Sequence, residues 1–112
     1  MKVMKYSLEL EGYSSAWVSS CPSGHNPTRI DKNGNYFGEN IYFSWTSWIP
    51  EIHQIGSDSV NAWYNEVLLF PNSSIKPFQY TEATGHYSQV AWADSDEVGC
   101  GIVTCLDSSQ VA

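Results

Sequence analysis

Apolar and small residues recur at Val3, Ser7, Leu10, Ser14, Trp17 and Cys21, three or four apart, which is the spacing of one face of an α-helix. The pattern therefore predicts a helix over 3–21, stopped by Pro22 with Gly24 just beyond. Met1-Lys2 supplies no N-cap ahead of it, which leads us to expect missing chain on that side. Residues 22–37 are rich in Pro, Gly, Asn and Asp and read as a loop running into Gly38-Glu39-Asn40-Ile41-Tyr42-Phe43. An irregular aromatic segment follows from Ser44 to Gly56. Val60, Trp63, Tyr64, Val67 and Leu68 then fall at i, i+3, i+4, i+7 and i+8, which predicts a second helix with a Ser57-Asp58 start and a stop at Pro71.

After a polar stretch over 71–84, His86 to Ala93 alternates, with His86, Ser88, Val90 and Trp92 on one side and Tyr87, Gln89, Ala91 and Ala93 on the other, so a strand is predicted. Asp94 to Glu97 reads as a charged turn, and Val98 to Cys105 as the returning strand of a hairpin. Gly99 and Gly101 would let another backbone approach closely. Two helices and a hairpin make an α+β set. A chain of 112 residues is one domain, 1–112, with neither an internal repeat nor a linker.

Charge narrows the partners. The chain carries a net charge of −7, and its five Lys and Arg residues are scattered, so nucleic acid and anionic membrane are poor partners. No stretch approaches the roughly 20 apolar residues of a spanning helix, and Met1 to Tyr6 is not a signal peptide, because Glu9 and Glu11 interrupt any apolar run. Asn72-Ser73-Ser74 fits the N-glycan acceptor pattern and makes Asn72 a candidate site in a secreted chain. Of the three cysteines, Cys100 and Cys105 would lie ~16 Å apart on a regular strand, on opposite faces, and should not pair with each other. Cys21 can take one of them, and the other is a free thiol or has its partner beyond Ala112.

Four segments carry a resemblance. Thr84-Gly85-His86-Tyr87-Ser88-Gln89-Val90-Ala91-Trp92 followed by Val98-Gly99-Cys100-Gly101 resembles the signature of the CAP superfamily of cysteine-rich secretory, antigen 5 and pathogenesis-related proteins. Cys21-Pro22-Ser23-Gly24-His25-Asn26, Gly38-Glu39-Asn40-Ile41-Tyr42 and Ala62-Trp63-Tyr64-Asn65-Glu66-Val67 agree with it in order and spacing. The resemblance implies a three-layer α-β-α sandwich with a central antiparallel sheet, lacking its first helix and last strand here. It also implies a Cys21–Cys100 disulfide, and a cysteine after Cys105 to pair with it. It further implies an extracellular protein and a cleft lined by His25, Glu39, Glu66 and His86.

Two imidazoles and two carboxylates facing one another suit a divalent cation, zinc first, held weakly through His25 and His86. The competing reading is that the His and Glu side chains simply satisfy each other. The aromatic run Tyr42, Phe43, Trp45 and Trp48 packs in the core or forms a patch for a sterol, lipid or protein. Ser88, two residues after His86, makes a serine or metal-assisted hydrolase the alternative, but no nucleophile elbow or His-Glu-x-x-His helix accompanies it, so a non-enzymatic protein is expected. A truncated product without a ligand is the third reading. His53 lies outside every motif and is expected on a surface loop.

Overall fold

The computed structural model describes residues 3–106. The chain is a mixed α/β protein in the order β1 (Lys5–Tyr6), α1 (Leu8–Val18), α2 (Ile52–Asn65), α3 (Gly85–Val90) and β2 (Glu97–Val98), with short 3-10 turns at Glu66–Leu69, Asn72–Ser74 and Glu82–Thr84. The expected reading of Met1 and Lys2 lies outside the described residues.

α1 is shorter than its periodicity predicts. It starts at Leu8 because Ser7 Oγ accepts the Leu10 backbone N–H, an N-cap inside the apolar repeat. It ends before Cys21, whose φ of +51° is a left-handed backbone that no helix continues. Its predicted face is nevertheless the one that packs. Ser14 Oγ donates to the Gly99 carbonyl (3.2 Å) and Trp17 Nε1 to that of Gly24 (3.1 Å). A Cβ on Gly99 would sit 2.2 Å from the Glu11 nitrogen, and one on Gly101 2.6 Å from that of Ser15. These two glycines bring the 97–101 segment against α1, the close approach their positions in the sequence suggested.

α2 begins at Ile52, after Pro50, five residues earlier than its Ser57-Asp58 signal. Gln54 Nε2 bonds Asp58 Oδ1 (2.8 Å) across one turn, so Asp58 serves inside the helix rather than at its start. His53 consequently sits on a helix, exposed, and not on a loop. The stop is where proline puts it: Phe70 leaves the helical region just before Pro71.

The predicted strand over 86–93 is instead α3, Gly85–Val90. Its alternation is equally a helical pattern, since Tyr87 and Ala91 are one turn apart and the Ala91 N–H donates to the Tyr87 carbonyl (2.9 Å). Tyr87 packs on Phe70 (ring centroids 5.3 Å) and edge-on to Tyr64 (5.9 Å), joining α3 to α2. With that stretch helical, the expected antiparallel hairpin has no first strand. β2 pairs with β1 in parallel, Lys5 opposite Glu97 and Tyr6 opposite Val98.

The cysteine pairing also differs from expectation. Cys21 is bonded to Cys105, with Cα atoms 5.9 Å apart, and Cys100 is a free, exposed thiol. Helix geometry explains it. Gly101 lies beside Ser15, three residues or ~5 Å short of the end of α1 at Val18, with Cys21 three residues further on. The predicted strand over 98–105 is regular only at Val98, and the four residues after Gly101 carry the chain on past the end of α1, where Cys105, and not Cys100, meets Cys21. Cys100 and Cys105 do not pair with each other, as their spacing required.

The packing is open. Among the described residues the enclosed side chains are Thr84, Ser74 and Ser59, while Val3, Leu68, Ile49 and Trp48 stand largely exposed. The Cα radius of gyration is 15.0 Å, against about 13 Å for a compact chain of this length.

Candidate functional site

The residues of interest form two His–Glu pairs of the same design. In the first, His25 Nδ1 lies 2.6 Å from Glu39 Oε1, which also accepts the backbone N–H of the next residue, Asn26 (3.1 Å). In the second, His86 Nδ1 lies 2.9 Å from Glu66 Oε2, while Glu66 Oε1 accepts the backbone N–H of the next residue, Tyr87 (2.9 Å). A carboxylate oxygen that accepts from Nδ1 leaves Nε2 of a neutral ring as the nitrogen with the lone pair. Each glutamate thus orients a histidine from behind, as carboxylates behind metal-bound histidines do.

Different elements build the two pairs. His25 and Glu39 stand on loops, with Arg29 Nη1 3.9 Å from the Glu39 carboxylate. Glu66 lies in the 3-10 turn that ends α2 and His86 in the first turn of α3. The indole of Trp63, one turn before Glu66, stacks on the His86 ring (centroids 6.3 Å, planes 16° apart). Its Nε1 donates to the Ile41 carbonyl (3.2 Å), and Asn40 Nδ2 donates to that of His86 (3.2 Å). Gly38 meets Gln89 of α3, whose side-chain oxygen would be 2.1 Å from an added Cβ.

Trp63, on α2, joins the site through this stacking, a part that its sequence motif did not reveal. Its position three residues before Glu66, hence on the same helix face, was the available signal. The four site residues do not merge into one tetrad: among the described residues, no group of three or more His, Cys, Asp and Glu side chains is placed to hold a metal ion. A cation held by two imidazoles alone would need water to complete its shell. A cavity of about 610 Å³ opens elsewhere, among Tyr36, Tyr80, Gln89, Trp92 and Asp96, and none of the four residues lines it.

Ser88, the nucleophile of the hydrolase alternative, lines that cavity and donates to the Gly85 carbonyl (2.9 Å). In the aromatic segment Phe43 is half-buried and stacks on Trp45 (5.9 Å), while Trp45 and Trp48 are largely exposed and Tyr42 less so. Thr46 Oγ1 donates to the Trp48 carbonyl and closes the turn between them. Asn72 is exposed, at the start of a 3-10 turn whose Ser74 is enclosed. Among the described residues, no helix is long and apolar enough to cross a membrane.

Two like-built His–Glu pairs thus stand on a small disulfide-bonded α/β frame, and the sequence says of which kind. It matches the CAP family, the Cysteine-rich secretory protein family, over residues 1–111, and the chain belongs to that family. It is similar to Venom allergen 5 of Microctonus hyperodae, 40% identical over 106 residues covering 94% of this chain and 45% of that protein. It is also similar to mouse Glioma pathogenesis-related protein 1 (35% identical; 94% and 39% covered) and human Cysteine-rich secretory protein 2 (32%; 94% and 40%). The chain therefore spans less than half the length of these relatives. No solved structure matches it.

Proposed function

We propose that this chain is part of a secreted CAP-domain protein that is not an enzyme and binds a divalent cation, zinc first, through Nε2 of His25 and of His86. One observation carries the reading: each glutamate takes Nδ1 of its histidine and the following backbone N–H, which leaves the two Nε2 atoms as the ligating nitrogens. With two protein ligands and water for the rest, binding is weak. Glu39 and Glu66 orient the rings rather than bind metal. Zinc titration by calorimetry tests this: the wild-type chain gives a binding heat, and the His25→Ala, His86→Ala double variant gives none. Equal heats in both would overturn it.

Family membership supports reading the described elements as part of a three-layer α-β-α sandwich with an antiparallel sheet. A disulfide, the acceptor triplet at Asn72 and relatives named as venom and secretory proteins support secretion and a glycan at Asn72. The exposed Trp45 and Trp48, with Ile49 and Ile52 beside them, support a sterol, lipid or protein as the partner of the aromatic loop. Sterol binding by the Trp45→Ser, Trp48→Ser variant should fall well below wild type, and equal binding would remove the loop from the reading.

A further inference from the structure

We infer that Asn40 and Trp63 are positioning residues that clamp the two His–Glu pairs into one register, an inference that rests on the two-histidine reading above. The pairs share no side chain, so something must fix one against the other if both rings are to serve one ligand. The segment that presents Glu39 supplies it, because its neighbours on both sides are tied to the elements of the second pair. Gly38 packs against Gln89 of α3, Asn40 Nδ2 donates to the His86 carbonyl, and the Ile41 carbonyl accepts from Trp63 Nε1. Trp63 touches both sides at once. Its ring lies on the His86 imidazole while its N–H holds the strip that carries Glu39, and Glu39 in turn holds His25.

The two hydrogen bonds, each 3.2 Å, are directional, so they constrain distance and angle rather than merely filling space. Trp63→Phe keeps a ring over His86 and removes the N–H. Asn40→Asp keeps the shape and turns the donor into an acceptor facing a carbonyl. Trp92→Phe, in the pair Trp92 makes with Phe78, serves as a control for general loosening.

Two measurements on the full chain separate this clamp from the metal reading. In metal-free NMR, the ring signals of His25 should shift or broaden in Trp63→Phe and in Asn40→Asp, although neither residue touches His25, and stay put in Trp92→Phe. In zinc calorimetry, Trp63→Phe and Asn40→Asp should each weaken binding about 10-fold or more, the usual effect of removing a group behind a metal ligand, with Trp92→Phe near wild type. Unchanged His25 signals in both clamp variants would overturn the inference, and so would an equal loss of affinity in Trp92→Phe. If the wild-type chain takes up no zinc, the metal reading fails while the His25 signals still decide the clamp.

Discussion

The two His–Glu pairs use the same hydrogen bonds but stand on unlike ground. His86 and Glu66 sit on helical turns, with Trp63 lying on the imidazole and about a third of the His86 side chain exposed. His25 and Glu39 sit on loops, and about half of the His25 side chain is exposed. The same chemistry is therefore held locally in one pair and from a distance in the other. The first pair depends on what pins its loop: the Cys21–Cys105 bond at one end and the strip 38–41 at the other.

That contrast breaks most severely at the disulfide. The Cys21–Cys105 bond closes 84 residues of chain, and losing it should cost about 4.5 kcal/mol by loop entropy. In Cys105→Ser, urea unfolding should show a loss of that order, and NMR should show His25 perturbed more than His86. A larger disturbance at His86 would reverse the comparison. Next in size is the removal of each carboxylate. Glu66→Ala strips a partner from His86 and from the first turn of α3 together, and should cost about 2 to 3 kcal/mol. Glu39→Ala, whose histidine is better solvated, should cost about 1 kcal/mol by the same urea measurement.

Smallest is the effect of acid on the loop between the pair's two members. The Asn35 and Asn33 backbone N–H groups donate to Asp31 Oδ1 (2.9 and 2.8 Å), and these bonds, Asn35 first, hold its carboxyl below the usual aspartate range. A depressed folded value means the turn gains support above the unfolded pKa, near 4, and loses it as pH falls through the lower folded value. The amide shifts of Asn33 and Asn35 should therefore move toward free-loop positions only below about pH 4, and no further in an Asp31→Asn variant.

The four residues His25, Glu39, Glu66 and His86 were legible through the resemblance, whose motifs, such as Gly-His-Asn and Gly-Glu-Asn, are short and local, whereas the part of Trp63 was not. The helix face over Leu10, Ser14 and Trp17 was legible from its own spacing. What failed depended on chain-to-chain placement. The run His86 to Ala93 satisfies periods of two and of 3.6, and only the neighbours Phe70 and Tyr64 decide for the helix. The cysteine partner turns on how far 97–105 slides along α1, a register set by Gly99 and Gly101 against the backbone. Nor can spacing show that two pairs remain separate pairs, since that depends on where the strip 38–41 docks.

The central claim is that each histidine is held by Nδ1 and presents Nε2. Long-range ¹H–¹⁵N NMR of the metal-free chain, at a pH where both rings are neutral, reads the tautomer of each imidazole directly. Both His25 and His86 should carry the proton on Nδ1. A proton on Nε2 of either ring would contradict the account, because that nitrogen would then face a ligand as a donor and bind no metal.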